Sequence, residues 1–355
     1  MKLAIETARP YSVYIESGLL DRVGEAAQRT RKPGSQAMLI SDSNVFPLYG
    51  ERVSASLERA GFAVSSFVFP AGEPSKQLST VCQMYQALAE KGFTRTDFIV
   101  TLGGGVTGDM GGFAAATYLR GIPFLQVPTT LLSQVDASVG GKTGVDLPFG
   151  KNLVGAFHQP EAVLTDPDTL RTLPEHFFRD GMGEVVKYGC ISDRPLFQAL
   201  EDGTALENRE ELLARCVASK KSFVEEDTQD TGRRMMLNFG HTFGHALEKL
   251  HSFEGLSHGE AVGIGMVLAS RVGERLSITP AGTAERISVV LGKYGLPVSS
   301  PFSWEELVDA TALDKKSDGD RLRLILLKEL GEAVIHPVTR EELKQLGKGG
   351  ASWRR

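Results

Sequence analysis

The sequence predicts an α/β fold in two parts: a parallel sheet wound with helices over residues 1–173, then a mainly α-helical part over residues 174–355. Two observations predict it. Up to about residue 173, short apolar runs rich in β-branched residues alternate with amphipathic stretches, the texture of a buried parallel sheet. Beyond Pro174 those runs give way to long stretches of helical period.

After the opening strand and VYIESG, the strands are AMLISD (37–42), AVSSFVF (63–69), DFIVTL (97–102), PFLQVP (123–128) and AVLTD (162–166). Between them YGERVSASLERAG and STVCQMYQALAEKG read as helices that end at glycine. In the second part LENREELLARCVASKKSFVEED, LNFGHTFGHALE, HGEAVGIGMVLASRVGERLS and AERISVVLGKYG read as helices, and RLRLILL with EAVIHPV as a late hairpin. A chain of 355 residues suits two domains, and 41% hydrophobic residues suffice for a core in each. A net charge of −5 without a basic stripe argues against a nucleic-acid partner. Three cysteines without C-x-x-C spacing read as reduced thiols of a cytoplasmic protein. No apolar run is long enough for a signal peptide or a membrane span.

Chemistry enters at GGGVTGDMGGFAAATYL, where Gly103, Gly105 and Gly108 match G-x-G-x-x-G between a strand and a helix. Glycines there permit a tight turn and let the helix N-terminus approach a pyrophosphate. The first part is therefore Rossmann-like, although the turn belongs to a later unit of the sheet and PFLQVP ends without an acidic ribose ligand. Asp42, at the end of AMLISD, is placed to serve instead. Residues 126–160 read as a long functional loop in which Asp136, Lys142, Lys151 and Asn152 are separated by glycine and proline, beside Thr129 and Thr130 at a strand end.

In the second part, GMGEVVKYG sets Glu184 among apolar residues, three before Lys187. A carboxylate there is exposed, salt-bridged or bound to a cation. His241 and His245 share one helix face, and His258 opens the next helix. Glu184 and His241 with a second imidazole would make a two-histidine, one-carboxylate site of the catalytic zinc type. The residues alone leave open whether that imidazole is His245 or His258. The second part is thus a helical metal-binding domain, while His158, His176, His251 and His336 read as structural or surface residues.

GGGVTGD, YLRGI, QVPTTLLSQVDASVGGKTGV, GKNLVGAFHQP, GEVVKYG, LNFGHTFGHALE, HGEAV and DKK occur in this order within about residues 37–327, and together they resemble the 3-dehydroquinate synthase family of sugar-phosphate cyclases. The resemblance implies an NAD-dependent enzyme containing Zn2+, with Co2+ as an alternative, that forms 3-dehydroquinate and phosphate from 3-deoxy-D-arabino-heptulosonate 7-phosphate in the shikimate pathway. It implies metal ligands Glu184, His241 and His258, with His245 facing the substrate. It assigns Asp42, Glu73, Lys76, Gly104, Gly105, Val106, Asp109, Thr129, Thr130, Leu132, Thr172 and Leu173 to NAD, with Lys142 and Lys151 near both ligands. Substrate would also meet Asp136, Asn152, Lys187, Lys220, Arg234, Asn238 and Lys316, whose neighbour Lys315 competes for the role. Arg120 of YLRGI would cross a homodimer interface, and Asp146 departs from the asparagine common in the family.

A sibling cyclase such as 2-deoxy-scyllo-inosose synthase, or a metal-dependent polyol dehydrogenase, is the alternative. Their substrates lack the carboxylate, and a neutral polyol gives Lys142, Lys151, Lys220 and Arg234 nothing to bind together. An NAD-sensing regulator would have no use for the metal triad.

Overall fold

The computed structural model describes residues 1–252, 255–311 and 321–347. The chain forms two compact units, Met1–Pro174 and Glu175–Arg355.

In the first unit a seven-stranded sheet contains β1 (Lys2–Ile5), β2 (Tyr11–Ile15), β3 (Gln36–Asp42), β4 (Ala63–Phe69), β5 (Phe98–Gly103), β6 (Phe124–Pro128) and β9 (Ala162–Thr165). Their order is β1-β2-β9-β6-β5-β3-β4, and only β1 pairs antiparallel. β5, β6 and β9 are buried along their whole length, which explains why their runs are mostly apolar, with Thr101, Gln126 and Thr165 the buried polar exceptions. One face packs on α1 (Val23–Gln28) and α2 (Phe46–Arg59) through Val23, Val53 and Leu57. The other packs on α3 (Leu78–Glu90) and α4 (Gly105–Thr117) through Met84, Met110 and Phe113.

The strand order explains the late position of the glycine turn. After β3 the chain adds β4 on one side and β5 on the other, so the winding reverses between β3 and β5. Ligands of open α/β sheets bind at the carboxyl ends of strands at such a switch point. Asp42 ends β3 there, and the glycine turn follows β5.

The expected long loop is corrected in part. Its middle forms a hairpin of β7 (Lys142–Leu147) and β8 (Gly150–Phe157), preceded by a π-turn over Ser133–Ala137. Gly144 and Gly155 face each other across the hairpin, where a Cβ on Gly155 would lie 2.2 Å from the Thr143 carbonyl oxygen. These glycines serve close strand approach, not looseness.

His158 follows the hairpin, donates from Nε2 to the Ile122 carbonyl (3.0 Å) and stacks on Phe124. Burial lowers its pKa, so the fold favours the neutral ring. That contribution is present above the unfolded value of about 6.5 and is lost as pH falls below it, because the unfolded chain then binds the extra proton. His158→Gln is expected to flatten the decline in urea midpoint between about pH 6.5 and 5; parallel pH profiles for the two proteins would refute this.

The second unit is helical: α5 (Glu175–Ile191), α6 (Arg194–Asp202), α7 (Arg209–Glu226), α8 (His241–Leu250), α9 (His258–Arg275), α10 (Thr283–Lys293), α11 (Trp304–Ala310) and α12 (Arg340–Gly347). The late hairpin pairs β10 (Arg321–Glu329) with β11 (Glu332–Thr339). The helix expected from Leu237 starts instead at His241. Gly240 precedes it at φ +81°, and Arg233–Asn238 forms a 3-10 turn. A Cβ on Gly240 would meet the Val262 carbonyl at 2.6 Å, so this glycine allows α8 and α9 to touch.

Candidate functional site

The side-chain cluster of the second unit rests on a second such contact. A Cβ on Gly183 would lie 2.7 Å from the Gly259 carbonyl oxygen, so α5 and α9 meet backbone to backbone. Gly259 N–H also donates to the Asp180 carboxylate at 2.5 Å. Each of these glycines neighbours a functional residue, Glu184 on α5 and His258 on α9. His258 is held at the first helical position by a capping box, in which the Ser257 N–H donates to the Glu260 carboxylate at 2.9 Å. Glu260 is therefore a capping residue.

Glu184, His241 and His258 each present a ligand atom within 4.8 Å of the others. Nε2 of both histidines lies 3.5 Å from Glu184 Oε1. Their Nδ1 atoms point the other way. His241 Nδ1 donates to the Phe239 carbonyl at 3.2 Å, and His258 Nδ1 to Glu248 Oε1 at 3.3 Å. Such outer partners fix the tautomer that leaves Nε2 free to bind metal. His245 lies outside this group, exposed, with ring centroids 5.5 Å from His241 and 6.5 Å from His258. Glu248 escaped the sequence reading. It lies seven residues after His241 on the same helix face, a spacing that could have drawn attention to it but not its role.

Burial dominates the titration of His241 and, with Lys187 and the other imidazoles nearby, holds it down at about 3 despite Glu184. Burial acts against His258 too, but hydrogen bonds and charge from Glu184 and Glu248 override it and push it up to about 10. His258 and Lys187 thus both face the Glu184 carboxylate. Two inward imidazole nitrogens, a buried carboxylate and fixed outer partners fit a divalent cation.

Lys187 is buried and ion-paired with Glu184. Lys220 on α7 is also buried, as is Arg234, which donates to the Thr228 carbonyl at 3.0 Å; Asn238 is half-buried at the end of the same 3-10 turn. Among the described residues of this unit, the buried ionic side chains are these three cations with Glu184 and Glu248. An interior so rich in cations suits an anionic ligand. Lys315 and Lys316 lie outside the described residues.

In the first unit, Asp42, Gly104–Gly105 and Thr129–Thr130 stand at the ends of three neighbouring strands. Asp42 accepts from the N–H groups of Asn44 (2.9 Å) and Val45 (3.1 Å) and from the Thr107 hydroxyl (3.3 Å), so a sugar hydroxyl would share its oxygens with these donors. No side chain caps α4, which leaves its N-terminal N–H groups for an anion. Val106 lies in its first turn. The buried Thr129 hydroxyl has no hydrogen-bond partner among the described residues. Thr130 closes a turn with Ser133, after which Leu132 leads into the π-turn that carries half-buried Asp136. An uncapped helix end beside glycines and an unsatisfied hydroxyl fit a dinucleotide.

Lys76 Nζ joins this region to the hairpin, 2.8 Å from Asp109 Oδ2 and 2.6 Å from Asn152 Oδ1. Glu73 lies exposed on the preceding turn. Lys142 and Lys151 are exposed on the hairpin. Thr172 bonds the Tyr49 hydroxyl, and Leu173 follows it at the end of the unit. Arg120 is not brought to the strand ends. It lies beyond the far end of α4, whose 13 residues span about 20 Å.

This chain, with a glycine turn at the switch point of its sheet and a helical unit carrying a two-histidine, one-carboxylate cluster, shares its fold with sugar-phosphate cyclases. A 2-deoxy-scyllo-inosose synthase complexed with carbaglucose-6-phosphate, NAD+ and Co2+ shares 28% identity at a TM-score of 0.86, covering 99% of this chain and 100% of that one. A 2-epi-5-epi-valiolone synthase from Streptomyces hygroscopicus with NAD+ and Zn2+ bound shares 28% at 0.85, covering 95% of each chain. Within that class, the family model 3-dehydroquinate synthase N-terminal matches residues 66–180 and its C-terminal counterpart residues 181–317. The 3-dehydroquinate synthase of Clostridium acetobutylicum is 47% identical over 337 residues, 94% of either chain. The chain belongs to the 3-dehydroquinate synthase family.

Proposed function

We propose that the protein converts 3-deoxy-D-arabino-heptulosonate 7-phosphate to 3-dehydroquinate and phosphate, using NAD and Zn2+ or Co2+. The observation that carries this is the convergence of Glu184, His241 and His258 in a chain of this family. Residues 1–173 are the NAD-binding domain, and residues 174–355 bind metal and substrate. We place the protein in the cytoplasm as a homodimer, with Arg120 reaching the partner. Among the described residues no helix is long and apolar enough to cross a membrane.

When bound, the cation and the nicotinamide supply reversible hydride transfer at a polarised hydroxyl carbon. Glu184, His241 and His258 would hold the cation, and the N-terminus of α4 the pyrophosphate, with Asp42 and Glu73 facing the riboses. For the anionic groups of the substrate the first unit offers Lys142, Lys151 and Asn152, and the second offers Lys187, Lys220, Arg234 and Asn238. That ionic grip keeps one conformer through elimination, in which phosphate takes the proton, and through ring closure. His245 serves the later proton transfers, and Asp136 meets the substrate.

Because the hydride is returned, steady turnover is expected to release phosphate while the near-ultraviolet absorbance of NADH stays flat. NADH accumulating one for one with product would replace this reading with a dehydrogenase.

A further inference from the structure

Asp146 is a residue the proposed chemistry leaves without a task. It sits where the hairpin register slips, between the pairs Val145↔Val154 and Leu147↔Gly150. Its own N–H donates to the Lys76 carbonyl at 2.8 Å, outside the hairpin ladder. Opposite it, Asn152 has φ +54°, a left-handed conformation that asparagine tolerates better than most residues and that a local contact can fix. The holding contact is visible: the Asn152 N–H donates to Asp146 Oδ1 at 2.7 Å. The side chain of Asn152 is fixed from the other end. Lys76 Nζ has only donors to offer and lies 2.6 Å from Asn152 Oδ1, so the amide must present oxygen to the lysine and turn its NH2 away. Lys76 is itself buried and anchored by Asp109.

We propose that Asp146 is a positioning residue: it clamps Asn152 in the left-handed conformation while Lys76 orients the amide, aiming the Asn152 NH2 at an anionic oxygen of the bound sugar phosphate. The adjacent Lys151 is carried by the same stretch of backbone. This inference rests on the proposed activity, in which Asn152 meets the substrate. The clamp itself is the acceptor oxygen on the neutral Asn152 N–H, while the charge of the same carboxylate faces Lys76 and its other side-chain contact is Glu73.

The test compares steady-state kinetics of wild type, Asp146→Ala, Asp146→Asn and Asp146→Glu with the heptulosonate phosphate, beside NAD affinity measured by calorimetry. Asp146→Ala is expected to raise KM about tenfold, the equivalent of losing one strained backbone state. Its kcat and NAD affinity stay within about threefold. Asp146→Asn retains an acceptor oxygen and is expected to restore KM. Asp146→Glu keeps the charge but displaces the oxygen, and should resemble alanine; it decides the matter if the alanine variant does not fold. An unchanged KM in Asp146→Glu, or an Asp146→Asn as impaired as alanine, overturns the clamp. A wild type that does not turn over the heptulosonate phosphate overturns the proposed function, and this inference with it.

Discussion

Purified His258→Ala is expected to hold no stoichiometric divalent cation and to show no turnover, whereas His245→Ala keeps its metal and loses turnover alone. The contrast follows from where each ring points. His258 Nε2 faces Glu184 Oε1 at 3.5 Å, and its far nitrogen is occupied by Glu248. His245 is only four residues from His241 in sequence, yet it is exposed and outside the ligand group. Removing one of three protein ligands should cost more affinity than removing an outer partner, which typically costs about 10–100-fold. Glu248→Gln is therefore expected to fall between the other two variants, binding metal that a chelator strips more easily. Elemental analysis after gel filtration, followed by an assay with and without added Zn2+ or Co2+, gives the order. Metal retained by His258→Ala and lost by His245→Ala would invert the assignment.

The choice between those two imidazoles shows what the sequence holds and what it does not. Helical spacing places His241 and His245 on one face, but metal geometry depends on which other helix comes within reach. That approach is decided by glycines far apart in the chain. Gly240 lets α8 settle against α9, and Gly183 and Gly259 let α9 settle against α5. A local pattern can show that a glycine sits on a helix without showing what will fill the space it leaves. The strands of the first unit were legible for the opposite reason. Burial on both faces of the central strands β3, β5, β6 and β9 demands mostly apolar runs, and that demand is local.

The glycine-rich turn and its late position were legible, but the reason for that position was not, because a switch point is a property of strand order and not of any one segment. The π-turn around Asp136 and the hairpin after it were missed because their glycines and prolines carry the same signal in a loop. Glu248 was missed because a carboxylate on a helix is ordinarily solvated. Only the position of His258, brought in by the fold, gives it a task.

The second large effect concerns the turn itself. Gly105→Ala is expected to bind NAD about 100-fold more weakly, near 2.7 kcal/mol, without loss of melting temperature in the cofactor-free protein. A Cβ at position 105 would meet only Ala137, at an ordinary 3.5 Å. Residue 105 is also the first of α4, where alanine is the better helix former by up to about 1 kcal/mol. The protein's own packing therefore gives no reason for glycine there; close passage of a pyrophosphate over the helix end does. Gly103 is the internal control. A Cβ there would lie 2.4 Å from the Thr107 hydroxyl, which itself bonds Asp42, so Gly103→Ala is expected to lower the melting temperature before any ligand is added. Calorimetric titration with NAD and thermal melts of both variants separate the two effects. Undiminished NAD affinity in Gly105→Ala would move the dinucleotide away from the α4 N-terminus, and with it the proposed link between the switch point of the sheet and the chemistry.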